Sequence, residues 1–68
     1  MKRDFYKLGG FVYQVIAEPE NGGWVGRWFC PLCGQSGETV NKYSSECEAV
    51  FSARDEAGEH YNRLHAVG

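Results

Sequence analysis

A pair of cysteines and a distant pair of histidines constrain the fold of this chain more than any other feature. Cys30 and Cys33 are separated by two residues, and His60 and His65 lie on one predicted helix. Two thiols at this spacing form a turn whose sulfurs can bind one tetrahedral ion, and two histidines near a helix end can supply the remaining ligands. Gly34 allows the backbone to fold back behind the sulfurs. We therefore predict one structural Zn²⁺ bound by Cys30, Cys33, His60 and His65.

The small size of the chain makes such an ion important for folding. The 68 residues form one domain, and a chain of this length buries only roughly 60% of its unfolded surface. Zinc binding in finger peptides contributes about 10–16 kcal/mol, which would decide whether this chain folds. The apolar content of 43% and aromatic content of 15% are too high for a disordered tail.

Charge and cysteine count indicate the compartment and disfavour some partners. Residues 37–68 carry six acidic and three basic side chains, so the helical end is acidic and unsuited to phosphate. Three cysteines are an odd number, which argues against a pure disulfide framework. No segment has the apolar length of a signal peptide or a membrane span. We expect a cytoplasmic monomer that does not contact a membrane.

The β-strand signals are concentrated in the first half of the chain. Residues 11–17 are β-branched and aromatic, and residues 24–30 follow after a glycine-containing loop, so the two segments predict an antiparallel hairpin. Alternation along the second strand places Trp24, Gly26, Trp28 and Cys30 on one face. Residues 38–43 predict a third strand. Residues 1–10 end in two glycines and are expected to be a loosely ordered lead-in segment.

A C-terminal helix completes the predicted fold. Ser52 is a suitable N-cap for a helix over residues 53–65, and residues 49–51 are expected to form a short strand or an extended entry. His65 lies about 140° around an ideal helix from His60, so both can reach one ion only if the last turn loosens. The fold class is a small α+β zinc-stabilised domain, with an antiparallel β-hairpin or three-stranded sheet followed by one C-terminal helix. The inward stripe of the helix consists of Ala53, Ala57, His60, Tyr61 and Leu64.

Two pieces of the chain resemble a two-cysteine, two-histidine zinc finger. The run Trp28-Phe29-Cys30 with Cys33 matches the opening of that family, and residues 51–60 with His65 match its helix. The resemblance implies that Phe51 is the core aromatic and that residues 11–68 form a single zinc-finger-like domain. It departs from the family between Cys33 and His60, where 26 residues stand in place of about a dozen. The chain therefore resembles a finger-like variant with a long insertion.

Cys47 offers an alternative ligand set. Twelve residues separate it from His60, which also matches the spacing from the second cysteine of the family to its first histidine. The site would then consist of Cys30, Cys33, Cys47 and one histidine. A third possibility is that Cys47 is a small apolar residue without a metal-binding role.

Nucleic-acid binding is a function that the resemblance implies, and two modes are conceivable. The helix positions that contact bases in fingers correspond to Ala53, Glu56 and Glu59, two of which would bring negative charge to DNA. Binding of a single strand would instead use aromatic residues for base stacking and cations for the backbone. The candidates for that mode are Tyr13, Trp24 and Trp28, with Arg27 and Lys42.

A protein-interaction or accessory module is the function that we favour from the sequence. The helix face that carries Asp55, Glu56 and Glu59 is acidic, and the large aromatic residues suit a small adaptor surface. Four good ligands close a metal site, and no carboxylate has a spacing that marks a general base, so we do not expect an enzyme. Nucleic-acid binding, duplex or single-stranded, is the alternative.

Overall fold

Four strands and one helix make up the structure, a computed structural model that describes residues 2–65. The four strands form one antiparallel sheet in the order β1-β2-β3-β4, and α1 packs on one face of it. The predicted fold class, a small antiparallel sheet followed by one C-terminal helix, is confirmed, with four strands in place of three. The elements are β1 Lys2–Leu8, β2 Phe11–Glu20, β3 Gly23–Phe29, β4 Ser36–Glu38 and α1 Glu46–Leu64.

A turn of two glycines connects β1 to β2. Leu8 pairs with Phe11 across the Gly9-Gly10 turn, and both glycines have positive φ values, 57° and 86°. Two-residue hairpin turns of this kind require left-handed backbone at both positions, which glycine adopts without a steric penalty. The expectation of a loosely ordered lead-in is therefore wrong for residues 2–10. They form the outer half of a hairpin whose turn is the glycine pair.

The segment after the cysteine turn is less regular than predicted. The prediction of a strand over residues 38–43 is wrong. β4 ends at Glu38, and the next residues form a loop that runs alongside β3. Tyr43 returns to β3 as a single bridge, in which its N–H and C=O both bond to Trp24 at 2.8 Å. Within β4, a side chain at Gly37 would meet the Trp28 ring at 2.5 Å. Glycine there lets the indole lie flat against the backbone.

The helix begins two turns earlier than predicted. Ser45 is the N-cap, and its Oγ accepts the N–H of Glu48 at 3.2 Å and donates to the Glu48 carboxylate at 3.2 Å. The serine and glutamate have the spacing of a capping box, and the serine hydroxyl satisfies one donor that the first turn leaves free. The predicted start at residue 53 after Ser52 is therefore wrong, as is the strand or extended entry over residues 49–51. Much of the apparent insertion before His60 is additional helix.

The core lies between α1 and one face of the sheet. Tyr13, Val15, Trp28 and Cys30 are buried on the sheet side, against the small helix residues Ala49, Ala53 and Ala57. Gly26 permits this close approach, because a side chain there would overlap the Ala49 carbonyl oxygen. Among the described residues, no helix has the length and apolar character needed to cross a bilayer.

The predicted inward faces are largely but not completely correct. On β3, Gly26, Trp28 and Cys30 are buried as expected, and Trp24 is half-buried. On α1, Ala53, Ala57 and His60 are buried and Tyr61 is half-buried. Leu64 and Phe51 are 57% and 60% exposed, so the assignments of Leu64 to the inward stripe and of Phe51 to the core are wrong. The alanine stripe faces the sheet and turns Phe51 toward solvent.

Candidate metal centre

The cysteine turn is held by its own backbone. Cys30 directly follows β3, and its N–H donates to the Gln35 carbonyl at 2.8 Å. The Gly34 N–H donates back to the Cys30 carbonyl at 2.9 Å, and Gly34 adopts φ +75° to do so. A residue with a side chain would be strained at that angle. The turn thus presents both thiols toward the end of the helix.

The histidines occupy two different backbone environments at the end of α1. His60 is within the helix and 97% buried, with a relative exposure of 3%. His65 is the C-cap residue with φ −126°, and its N–H donates to the Tyr61 carbonyl at 2.8 Å. The chain therefore leaves helical geometry at His65, as expected if two histidines five residues apart are to reach one point.

The four side chains converge on a volume the size of one ion. Their ligand atoms all lie within 4.8 Å of one another. The Cys30 Sγ to His65 Nε2 distance and the Cys33 Sγ to His60 Nε2 distance are both 3.5 Å, and the two Nε2 atoms are 3.2 Å apart. Ligands around tetrahedral zinc, with bonds of about 2.3 Å to sulfur and 2.0–2.1 Å to nitrogen, are separated by about 3.6 Å (S to N) and 3.3 Å (N to N). The arrangement could hold a metal ion.

Tyr13 contacts the buried sulfur from inside the core. In the thiol form, Cys30 Sγ donates to the Tyr13 hydroxyl oxygen at 3.1 Å, and in the thiolate form the hydroxyl donates to the sulfur. Both residues are completely buried. Burial alone would raise the pKa of the Cys30 thiol, but hydrogen bonds from the Tyr13 hydroxyl and from the backbone N–H groups of Cys33 and Leu32 outweigh it and lower the pKa. Burial, together with Cys30, raises the pKa of Tyr13 well above its usual range, so its hydroxyl keeps a proton to donate to the Cys30 thiolate.

The surroundings of His60 favour its neutral form. Burial lowers the pKa of His60, and the nearby charges of His65 and Arg63 lower it further. The Trp28 ring lies against the imidazole, with ring centroids 4.9 Å apart, and Trp28 Nε1 donates to the Glu56 carboxylate at 3.3 Å. A neutral imidazole is the form that binds a metal ion, so this environment keeps His60 ready to act as a ligand.

The structure does not bring Cys47 to the site. Cys47 is exposed in the first turn of α1. It precedes His60 by 13 residues, which corresponds to roughly 20 Å along a helix at 1.5 Å per residue. The three-cysteine alternative is therefore not supported by the geometry, whereas the four side chains that the sequence singled out are clustered.

Sequence reasoning missed two aromatic residues that line the site. Tyr13 and Trp28 were considered for base stacking, but they are buried against Cys30 and His60, with exposures of 0% and 8%. The signal was present for Trp28, which has the same strand parity as Cys30. No local signal identifies Tyr13, because the contact depends on pairing between β2 and β3, where Val15 lies opposite Trp28.

Comparison with known proteins adds no family to these observations. No protein-family model, characterised protein or solved structure matches the chain significantly. The case for a metal centre therefore rests on the donor set and its geometry.

Proposed function

We propose that Cys30, Cys33, His60 and His65 bind one Zn²⁺. The observation that carries this proposal is the agreement between the sulfur–nitrogen and nitrogen–nitrogen separations and those of a zinc tetrahedron. Two thiolates and two imidazoles suit zinc better than magnesium or calcium, which prefer oxygen ligands. Tyr13 and the turn's N–H groups would stabilise the negative charge on Cys30.

We propose that the ion has a structural role and that the chain is not an enzyme. Four protein ligands fill a tetrahedral zinc site and leave no position for a substrate or an activated water. The ligands also connect the end of β3 to the end of α1, two parts of the chain that are otherwise joined through an alanine-rich interface. The three cysteines are all free, which supports a reducing compartment such as the cytoplasm.

The domain that zinc stabilises would act as a protein-interaction or accessory module. The sheet face opposite α1 is not covered by another described element, and it carries exposed apolar side chains. Phe5, Val12 and Phe29 are 61%, 46% and 44% exposed there. Apolar side chains gathered on one face are more typical of a binding surface than scattered ones.

Nucleic-acid binding is the second candidate, and the structural observations support it less than the sequence alone does. The residues considered for base stacking, Tyr13 and Trp28, are buried, and the helix position Ala53 is completely buried. Arg27, considered for backbone contacts, pairs with Glu18 at 2.7 Å and with Glu38 at 2.8 Å. With a net charge of −2, the counterion-release contribution to nucleic-acid binding is small.

The metal assignment is tested by metal analysis with matched cysteine variants. Protein purified without added metal should contain about one zinc per chain, and a chelator should remove the dispersion of its NMR spectrum. Cys33→Ser should lose the zinc, while Cys47→Ser, which changes the other exposed cysteine, should keep it. A Co²⁺-loaded sample should show tetrahedral d–d bands and a thiolate charge-transfer band. A metal-free protein that stays folded would refute the structural role.

The interaction role is tested separately by comparing partners. Titration with duplex and single-stranded oligonucleotides at low salt should give weak binding with little salt dependence. Affinity purification of the zinc-loaded domain should recover a protein partner, and a domain unfolded by chelation should not. Oligonucleotide binding tighter than about micromolar, with a steep salt dependence, would replace the protein-interaction proposal with the nucleic-acid alternative.

A further inference from the structure

The free edge of β1 combines backbone groups that no neighbouring strand pairs with and a characteristic charge pattern. β1 is the outermost strand of the sheet, and no described residue pairs with its second side. We propose that this edge binds an extended peptide segment of a partner protein. Every second residue of that segment would be, in order, acidic, apolar and acidic. This inference rests on the proposed protein-interaction function, for which it specifies the chemistry of the partner.

The register of the first hairpin determines which backbone groups point outward. Leu8 and Phe11 flank a two-residue turn, so they form a hydrogen-bonded pair, and such pairs alternate along the ladder. Arg3, Phe5 and Lys7 fall on the alternate positions and direct their N–H and C=O groups away from β2. The Phe5 N–H points to this outer side, where it donates to the Asp4 carboxylate at 2.9 Å, and an added strand would replace that carboxylate as its acceptor. We refer to Arg3, Phe5 and Lys7 as the edge triplet.

The edge triplet also displays its side chains on the uncovered face of the sheet. Its members pair with Ile16, Gln14 and Val12, which alternate with the buried β2 residues facing α1. All three side chains are exposed, and Phe5 is 61% exposed. An added strand would thus meet backbone groups and a cation–aromatic–cation row at the same three positions.

Charge selects the partner. Arg27 on this face is neutralised by two glutamates, whereas no described residue forms an ion pair with Arg3 or Lys7. Opposite charges placed directly across neighbouring strands stabilise the pairing, and apolar residues opposite an aromatic do the same. An acidic residue opposite each cation, with an apolar residue opposite Phe5, therefore complements the triplet. Strand addition of this kind obtains affinity from the main chain and specificity from alternate side chains.

The same charges disfavour a second copy of this chain as the occupant. Two β1 strands paired antiparallel with the complete triplet in register would place Arg3 of each chain opposite Lys7 of the other. Like charges directly across a sheet are destabilising, and charged edge residues are a common protection against self-association. These charges therefore disfavour this pairing of two β1 strands and favour the addition of an acidic strand.

A designed peptide probes the edge directly. The peptide has seven residues and blocked ends, with glutamate at its second and sixth positions, valine at its fourth and threonine elsewhere. Added to zinc-loaded, ¹⁵N-labelled protein, it should cause saturable shifts centred on the amides of the edge triplet. A peptide with lysine in place of both glutamates should bind about tenfold more weakly, since two cross-strand pairs change from attractive to repulsive. N-methylation of the valine should abolish binding, because its N–H faces the edge.

Charge reversal in the protein supplies the matched control. The double variant Arg3→Glu with Lys7→Glu should exchange the preference, binding the lysine peptide more tightly than the glutamate peptide. Zinc content and spectral dispersion are measured on each sample, so loss of metal would count against the proposed function and not against the edge. With zinc and dispersion intact, equal affinity for both peptides would overturn the inference. So would self-association through β1, or oligonucleotide binding that the double variant abolishes.

Discussion

Removal of the Tyr13 hydroxyl should weaken zinc binding without unfolding the zinc-loaded domain. The hydroxyl lies 3.1 Å from Cys30 Sγ, and neither residue is accessible to solvent, so water cannot replace the lost hydrogen bond in Tyr13→Phe. A hydrogen bond to a charged group contributes about 1.5–3 kcal/mol. Independently, loss of a residue that supports a metal ligand costs about 10–100-fold in affinity, which converts to about 1.4–2.8 kcal/mol. The two estimates agree.

Competition with a chromophoric chelator measures this change in affinity. Tyr43→Phe is the matched control, because the Tyr43 hydroxyl bonds to Ser52 Oγ at 2.6 Å and does not contact the sulfur. That variant should lose only the stability of a neutral hydrogen bond, about 1 kcal/mol. In the Co²⁺-loaded proteins, Tyr13→Phe should move the thiolate charge-transfer band to lower energy, because the sulfur loses a donor, and Tyr43→Phe should not move it. Unchanged affinity and an unchanged band in Tyr13→Phe would refute the role of the hydroxyl.

Four further outcomes are expected. His65→Ala should lower zinc affinity and thermal stability together, whereas Cys47→Ser should change neither, and the reverse result would support the three-cysteine site. The free energy of unfolding in urea should fall as the pH drops below about 6.5, the pKa of an unfolded histidine. Burial and neighbouring charge lower the pKa of folded His60, so the unfolded chain takes up the proton first. A pH-independent stability between pH 7.5 and 5 would contradict this. Ser45→Ala should cost about 1 kcal/mol through loss of the N-cap, measured by urea unfolding. Gly26→Ala should cost about 1–3 kcal/mol, because the new methyl group overlaps the helix backbone, and an unchanged melting temperature would exclude the close contact.

The sequence was informative about the metal-site residues because side-chain chemistry limits the alternatives. Two thiols at close spacing and two histidines near a helix end have few other joint uses, and the structure clusters all four. The middle hairpin was equally clear, since β-branched and aromatic residues surround an Asn21-Gly22 turn. The hairpin signal lies in one stretch of chain, and the site signal lies in two short stretches, residues 30–33 and 60–65.

The sequence prediction missed β1 and the first two turns of α1, because in each case another signal masked the correct one. The charged residues of β1 obscured an alternation in which Asp4, Tyr6 and Leu8 face the helix side, each partly buried. Charges of this kind are normal on an edge strand, so they were not evidence against one. In the helix, Ser52 is a plausible N-cap by residue type, but Ser45 and Glu48 have the capping-box spacing, and Ser45 is the N-cap. Ala49 then extends by one turn the stripe of Ala53 and Ala57 that the shorter predicted helix already contains.

The separation of the ligands along the chain has a kinetic consequence. Cys30 and His65 are 35 positions apart, so an ion that joins them acts as a cross-link closing a long loop that contains β4 and α1. Closing such a loop is slow compared with forming the two adjacent hairpins of β1, β2 and β3, whose contacts are local. Capture of the ion should therefore be the late event of folding. Its release should require the end of the helix to leave the cysteine turn, so the lifetime of the bound ion measures the lifetime of the docked helix.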